Sequence, residues 1–231
     1  MRQLLGSILS ALLICVAAEA QTIRKVPLDF PTIQAAIVAS QNGDTVRVAP
    51  GTYVENINFL GKAITVASEA GAKFTTIDGN QAGSVVVINS GEGLSSILEG
   101  FTIRNGKRPE NGAFSAGGVT IQNSSPTIRR NRIVSNLGCN GVGISIQSGS
   151  PVIQNNVITD NKTFGCSTGI GGGGILVFTS LSAQILENTI SNNTSMSGGG
   201  ITILGGGAPS IRGKKRGSTE LVNANLVRIW R

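Results

Sequence analysis

The sequence predicts an all-β protein built as a parallel β-helix, a single-stranded solenoid of stacked coils with a short N-terminal capping helix. The first observation is a phrase that recurs along the chain, with isoleucine and asparagine at fixed places. The second is a glycine-rich segment before each copy, which opens a short run of alternating Ile and Val. Self-similarity at a period of about 20 to 50 residues indicates stacked supersecondary units.

The copies of the phrase align into ladders of identical residues. The aligned positions are Ile128, Ile153, Ile185 and Ile211, then Asn131, Asn156 and Asn188, then Ile133, Ile158 and Ile190. Each unit carries about three short strands separated by Gly, Asn, Ser and Pro. Pro and Gly recur too often for helical repeats, and the pattern of a leucine-rich repeat is absent. We therefore expect each unit to form one coil, stacked about 4.8 Å from the next.

The aligned asparagines predict a structural ladder at a turn. Asn tolerates left-handed backbone, and its amide can bond the Asn of the coils above and below. The alternative interpretation is a row of ligand-binding amides.

Residues 1–20 are interpreted as a signal peptide. Arg2 provides the positive start, an apolar run follows to Ala17, and Ala18–Ala20 form an A-x-A cleavage site. The apolar run is too short for the roughly 20 residues of a membrane span. We therefore expect a secreted, periplasmic or cell-surface protein with no transmembrane segment in the mature chain.

The mature chain is divided into three regions. We predict an N-terminal cap over residues 21–43, with a short helix within Phe30–Ala39, and β-helix coils over 44–213. Besides the repeats, strands are expected at Ile64–Ala67, Thr75–Ile77, Val85–Ile88 and Leu98–Ile103. After Gly213 the pattern stops. Residues 214–231 are interpreted as an off-pattern basic tail, either natural or a truncated or frame-shifted remnant.

The N-terminal part resembles the pectin-lyase-like superfamily of right-handed β-helix proteins. The similar segments are Phe30–Ile37, Asn42–Val46, Ala49–Ile57 and Thr75–Gly79, followed by the Ile-x-x-Asn-x-Ile copies. The resemblance spans Val26 to about Gly213 and implies a right-handed coil. It implies no single activity, because the superfamily includes lyases, hydrolases, esterases and adhesins.

The formal net charge of +7 resides mostly in the tail, where six Lys or Arg and one Glu lie from Ile211 onward. The folded body is nearly balanced, so nucleic-acid binding is not expected. The chain has no histidine. Asp160 and Glu187 fall in different repeat columns and do not predict the paired carboxylates of a glycosidase. We predict no metal and no cofactor.

One basic cluster lies outside the tail. It comprises Arg104, Arg129, Arg130 and Arg132, with Lys107 and Arg108 close in sequence. Guanidinium groups on one outer face could bind the carboxylates of a polyuronate. The alternative is a solvated surface balanced by Glu99, Glu110 and Glu187.

Two cysteines remain after cleavage, Cys139 and Cys166. Cys139 follows Asn136, and Cys166 follows Asn161. These two asparagines occupy equivalent places on adjacent coils, so the turns after them should lie about one strand spacing apart. An exported protein meets an oxidising compartment, and we expect a Cys139–Cys166 disulfide.

These observations predict an exported scaffold, a monomer, that binds a polysaccharide or a cell-surface component. Two alternatives stay open. One is a polysaccharide lyase or glycoside hydrolase lacking its C-terminal coils, and the other is a structural stalk or adhesin repeat.

Overall fold

The computed structural model describes residues 21–108, 116–165, 171–180, 182–195 and 198–213, and the backbone of 227–229. The predicted signal peptide, Cys166 and most of the tail lie outside the described residues. Within them, the chain forms one α-helix and 23 short strands. No helix of this part is long and apolar enough to cross a membrane.

The elements alternate regularly along the chain. The N-terminal ones are β1 (Ile23–Val26), α1 (Ile33–Ala39), β2 (Thr45–Val48), β3 (Gly51–Val54), β4 (Ile57–Asn58), β5 (Thr65–Ser68), β6 (Thr75–Asp78) and β7 (Val86–Ile88). The central ones are β8 (Ile97–Glu99), β9 (Thr102–Arg104), β10 (Val119–Gln122), β11 (Thr127–Arg129), β12 (Arg132–Val134), β13 (Leu137–Gly138) and β14 (Ile144–Gln147). The last are β15 (Val152–Gln154), β16 (Val157–Thr159), β17 (Lys162–Thr163), β18 (Ile175–Phe178), β19 (Gln184–Leu186), β20 (Thr189–Ser191), β21 (Ile201–Leu204), β22 (Ser210–Arg212) and β23 (Val227–Ile229).

Most strands stack into three parallel sheets, and β13 and β17 form a separate parallel pair. The first sheet has the order β1-β2-β5-β8-β11-β15-β19-β22, the second β20-β16-β12-β9-β6-β3, and the third β23-β21-β18-β14-β10-β7-β4. Each coil visits the first, second and third sheet in turn, as the repeat predicted. The fold is an all-β, right-handed parallel β-helix. Strand β23, in the predicted off-pattern tail, pairs with β21 and extends the third sheet.

The core is the column of apolar side chains that point into the coils. The Ile ladders are in register: Ile128 pairs with Ile153, and Ile153 with Ile185. Ile133, Ile158 and Ile190 align in the same way on the second sheet. Because each coil exposes its apolar row at both ends, only stacking on neighbours buries it.

Helix α1 closes the N-terminal end, as predicted. Its residues Ile33, Ala36 and Ile37 are buried against the first coils. The Thr32 side chain accepts the Ala35 N–H at its start. Coil residues hold both ends: Glu55 accepts the N–H groups of Ile33 and Gln34, and the Lys62 ammonium donates to three carbonyls at the end. The helix is thus tied to the coils by hydrogen bonds as well as by packing.

One predicted strand is wrong in extent. The segment Leu98–Ile103 forms two strands, β8 and β9, on different sheets. Gly100 has a φ of 80° and turns the chain between them. A left-handed residue at this place bends the coil in one step, which an alternating apolar pattern does not reveal.

Candidate functional site

The predicted asparagine ladder is present, with Asn131 and Asn156 buried and Asn188 half-buried. The Asn131 N–H donates to Asn156 Oδ1 (2.9 Å), and the Asn156 N–H donates to Asn188 Oδ1 (2.9 Å). Each Nδ2 also donates to a core strand carbonyl of the preceding coil, those of Leu98, Ile128 and Ile153. These amides are consumed by the fold and have a structural role, so they are not a ligand-binding row.

The backbone explanation for the ladder was wrong. The ladder asparagines themselves are not left-handed. The residue before each of them is, with a φ of 55° at Arg130, Asn155 and Glu187. The left-handed residue makes the bend, and the asparagine after it turns inward to satisfy backbone groups that the bend leaves unpaired.

A second ladder lies between the second and third sheets. Asn136, Asn161 and Asn193 repeat the same pattern, and Asn161 Nδ2 donates to Asn193 Oδ1 (2.9 Å). Sequence analysis aligned Asn136 with Asn161 but did not recognise a ladder. The signal was the spacing of five residues from Asn131 to Asn136 and from Asn156 to Asn161.

The predicted arginine cluster lies around one corner of the coil. Arg129 is on the first sheet, Arg130 at the bend, and Arg132 on the second sheet. Arg104 lies one coil earlier on the second sheet, in a position diagonal to Arg132. The four arginines therefore share an outer surface, as the sequence suggested.

Three of these four arginines are paired with acids. Glu99 accepts hydrogen bonds from Arg129 Nε (2.7 Å) and Arg130 Nη1 (2.7 Å). Asp78 accepts one from Arg104 Nε (2.9 Å). Arg132 is exposed and forms no ion pair with any described residue. The corner keeps a net positive charge, although three of its four guanidinium groups are paired with acids.

The paired acids have lowered pKa values. For Glu99, burial alone would raise the pKa, but the hydrogen bonds and charges of the two arginines outweigh it. For Asp78, burial again raises the pKa, but the hydrogen bonds from the Asn80 N–H, Arg104 and Asn105 outweigh it and lower the pKa overall. Both carboxylates are therefore ionised at neutral pH and serve the scaffold.

Lys107 and Arg108 lie apart from this corner. The Lys107 ammonium is 5.2 Å from the centre of the Phe164 ring. Burial lowers the pKa of the Arg108 guanidinium, whose buried Nε has no hydrogen-bond partner among the described residues.

The remaining acids of the repeats do not meet. Glu187 lies at the bend between the first and second sheets, and Asp160 at the bend after the second sheet. They occupy different corners, as their repeat columns predicted. Among the described residues, no group of three or more Asp, Glu or Cys could hold a metal ion.

The predicted disulfide falls partly outside the described residues, because Cys166 does. Cys139 is half-buried, and its Sγ lies 3.8 Å from the carbonyl oxygen of Phe164, two residues before Cys166. The Cys139–Cys166 pairing stays a prediction.

The outer face of the third sheet is divided lengthwise into a covered and an open half. In the covered half, Thr120, Ser145, Leu176 and Thr202 are in register and buried, although they point away from the core. Chain segments between the second and third sheets cover them: the Ala116 N–H donates to Thr120 Oγ1, and Gly141 packs on Ser145 and Leu176.

The open half carries a row of amides. Gln122 and Gln147 are in register, half-buried, and 3.3 Å apart between Nε2 and Oε1. Asn89 precedes them and follows Ile88, the partner of Ile121. Phe178 continues the row on the next strand, in register with Gln147. Its ring lies over Gly205, where a Cβ would approach the ring to 3.1 Å.

A second row runs beside the amides, at the bend that ends each strand. It consists of Asn123, Ser148 and Thr179, all with positive φ. The hydroxyls of Ser148 and Thr179 lie 3.0 Å apart. We call the two rows together the polar face: Asn89, Gln122, Gln147, Phe178, Asn123, Ser148 and Thr179. This face was not predicted from the sequence, although glutamine ends the strand after two successive glycine-rich openers.

A buried carboxylate lies at the edge of the polar face. Glu92 is 1 % exposed. Its oxygens accept the Gly61 N–H (2.9 Å), the Ser90 N–H (2.7 Å) and the Ser124 hydroxyl (2.8 Å). Ser90 follows Asn89, and Ser124 follows Asn123, so the carboxylate sits directly behind two members of the face.

Comparison with known proteins agrees with this architecture. A family model described as the right-handed beta helix region matches residues 34–215. The chain belongs to the right-handed β-helix family. No curated protein matches it significantly. The matched region includes the coils that carry both asparagine ladders, the polar face and the arginine corner.

Proposed function

We propose that this protein is an exported β-helix module that binds a polysaccharide along the polar face. The observation that carries the proposal is the register of Asn89, Gln122, Gln147 and Phe178, one per coil on the open half of the third sheet. Successive coils repeat about every 4.8 Å. An extended polymer lying along the helix axis would meet similar side chains at each step.

The chemistry of the face suits sugar hydroxyls. A carboxamide offers two N–H donors and an acceptor oxygen, and a hydroxyl both donates and accepts. Sugar hydroxyls need the same mixture. Phe178 adds an apolar surface at one end, where a sugar ring can pack its C–H face. Weak contacts repeated along a polymer add up through effective concentration.

The other interpretations receive less support. Asp160 and Glu187 lie at different corners, so they do not form the carboxylate pair of a glycosidase. A stalk needs no particular outer surface, whereas the polar face is uncharged and aligned over several coils. The arginine corner remains a second candidate for acidic polymers, because exposed Arg132 has no ion pair with a described residue.

Affinity electrophoresis against a panel of neutral and acidic polysaccharides tests the proposal. We expect at least one polymer to retard the protein, and the double variant Gln122→Ala/Gln147→Ala to lose most of that retardation. The matched control is Gln154→Ala, a half-buried, outward-facing glutamine on the first sheet. The proposal fails if no polymer is bound, or if the double variant and the control bind alike.

A further inference from the structure

We infer that the polar face selects an uncharged polysaccharide and that Glu92 makes it reject acidic ones. This inference rests on the proposed function and names its ligand class. It differs from the polyuronate binding that the arginine cluster suggests.

The first argument is the composition of the polar face. Its seven residues comprise amides, hydroxyls and one phenyl ring, none of which carries a charge. The arginines of the cluster lie elsewhere: Arg129 is on the first sheet, and Arg104 and Arg132 are on the second. A polymer along the third sheet would therefore find no arginine of this cluster to neutralise its carboxylates.

The second argument is the unusual setting of Glu92. The carboxylate is buried, and each of its two oxygens accepts a backbone N–H, one from Gly61 and one from Ser90. No described Lys or Arg forms an ion pair with it. The neighbouring Lys62 turns its ammonium to the carbonyls of Ile37, Val38 and Ser40 at the end of α1.

The consequence is a carboxylate behind the polar face that forms no ion pair with a described Lys or Arg. Two of the three donors come from the segments that carry Asn89 and Asn123, so the charge adjoins both rows. Like charges at a protein surface repel over a range of about 8 Å at physiological ionic strength. A carboxylate on the ligand would be disfavoured there, whereas a hydroxyl or an ester would not.

Matched polymer pairs test the inference in the Arg129→Ala/Arg132→Ala background, which removes the acidic-polymer binding expected at the arginine corner. Each pair shares a backbone and differs in charge. The probes are polygalacturonate against its fully methyl-esterified form, and carboxymethyl cellulose against hydroxyethyl cellulose. We expect the neutral member of a bound pair to bind about 3- to 10-fold more tightly at low salt, from Coulomb repulsion at a surface dielectric. Added NaCl should bring the two affinities closer together, because screening strengthens binding of the acidic member.

The variant Glu92→Gln should lower the ratio of neutral-polymer to acidic-polymer affinity at low salt. The affinity for the neutral polymer itself should stay nearly unchanged. Glu187→Gln, at an exposed bend on another corner, should leave the ratio as it is. If Glu92→Gln does not fold in this background, the salt dependence of the Arg129→Ala/Arg132→Ala protein decides. An affinity for the acidic polymer that rises with salt supports repulsion. An affinity that falls with salt overturns the inference.

The inference is also overturned if the acidic member binds as tightly as the neutral one at low salt. That result leaves the proposed function standing when Gln122→Ala/Gln147→Ala still abolishes binding. The proposed function itself fails when neither member of any pair is retained, or when the double variant has no effect.

Discussion

Asn156 joins three coils: its side-chain oxygen accepts the N–H of Asn131, and its own N–H donates to Asn188 Oδ1. Its Nδ2 also donates to the carbonyl of Ile128 in the core strand of the preceding coil. The side chain is buried, so removing it takes a partner from two backbone groups of the preceding coil, the Asn131 N–H and the Ile128 carbonyl.

The first prediction concerns this residue. Asn156→Ala should lower the free energy of unfolding by about 3 kcal/mol, because buried donors and acceptors then stay unsatisfied. Asn155→Gly, at the exposed left-handed position beside it, should have little effect. Urea unfolding followed by circular dichroism measures both. Equal destabilisation of the two variants would contradict the ladder's role.

The second prediction concerns the glycine-rich openers of the third sheet. A Cβ at Gly143 would lie 2.6 Å from the carbonyl oxygen of Gly174 in the next coil. Gly143→Ala should therefore cost about 1–3 kcal/mol through overpacking. Gly93→Ala is the control, since a Cβ there meets nothing within 4 Å. Thermal melts measure both variants. A lower melting temperature for Gly93→Ala than for Gly143→Ala would contradict the overpacking.

The third prediction is a loss of stability in acid. The pKa of Asp44 is lowered chiefly by the Gln41 N–H, and those of Asp78 and Glu99 by their arginine and hydrogen-bond partners. A lowered folded-state pKa gives stability that is present above the unfolded pKa of about 4 and lost as pH falls through the folded value. Melting temperature should thus hold from pH 7 to about 5 and drop below about pH 4. The variant Asp78→Asn should show a smaller fall in melting temperature below about pH 4 than the unmodified protein.

The fourth prediction is that native, unreduced mature protein contains no alkylatable thiol. Cys139 and Cys166 are its two cysteines, and Cys139 Sγ lies close to the segment that leads to Cys166. Mass spectrometry after iodoacetamide treatment should show no adduct before reduction and two after it. Two adducts on the unreduced protein would reject the disulfide.

The fifth prediction concerns the arginine corner. Retention on a polyuronate resin should be weak, should fall as salt rises, and should disappear in Arg129→Ala/Arg132→Ala. Incubation with polyuronate should release no unsaturated or reducing ends. Appearance of such ends would establish an enzyme, and unchanged retention in the double variant would leave the corner as ordinary surface.

The repeat determined the coil, the three strands per unit and the Ile and Asn ladders, because a period and an inward-pointing row are visible in one dimension. The capping helix was also predicted, since a helical segment precedes a chain whose open end needs covering. The bend residues were not, because left-handed backbone falls on Arg130, Asn155 and Glu187, which share no chemistry.

The sequence by itself placed the arginines on one outer corner, and only the tertiary structure decided how far they are neutralised. Glu99 and Asp78 reach them from the preceding coils, about 30 residues away along the chain. The polar face likewise depends on which half of the third sheet the connecting segments cover. Register and burial between coils arise from stacking, so a surface assembled one residue per coil becomes visible only when the coils are in place.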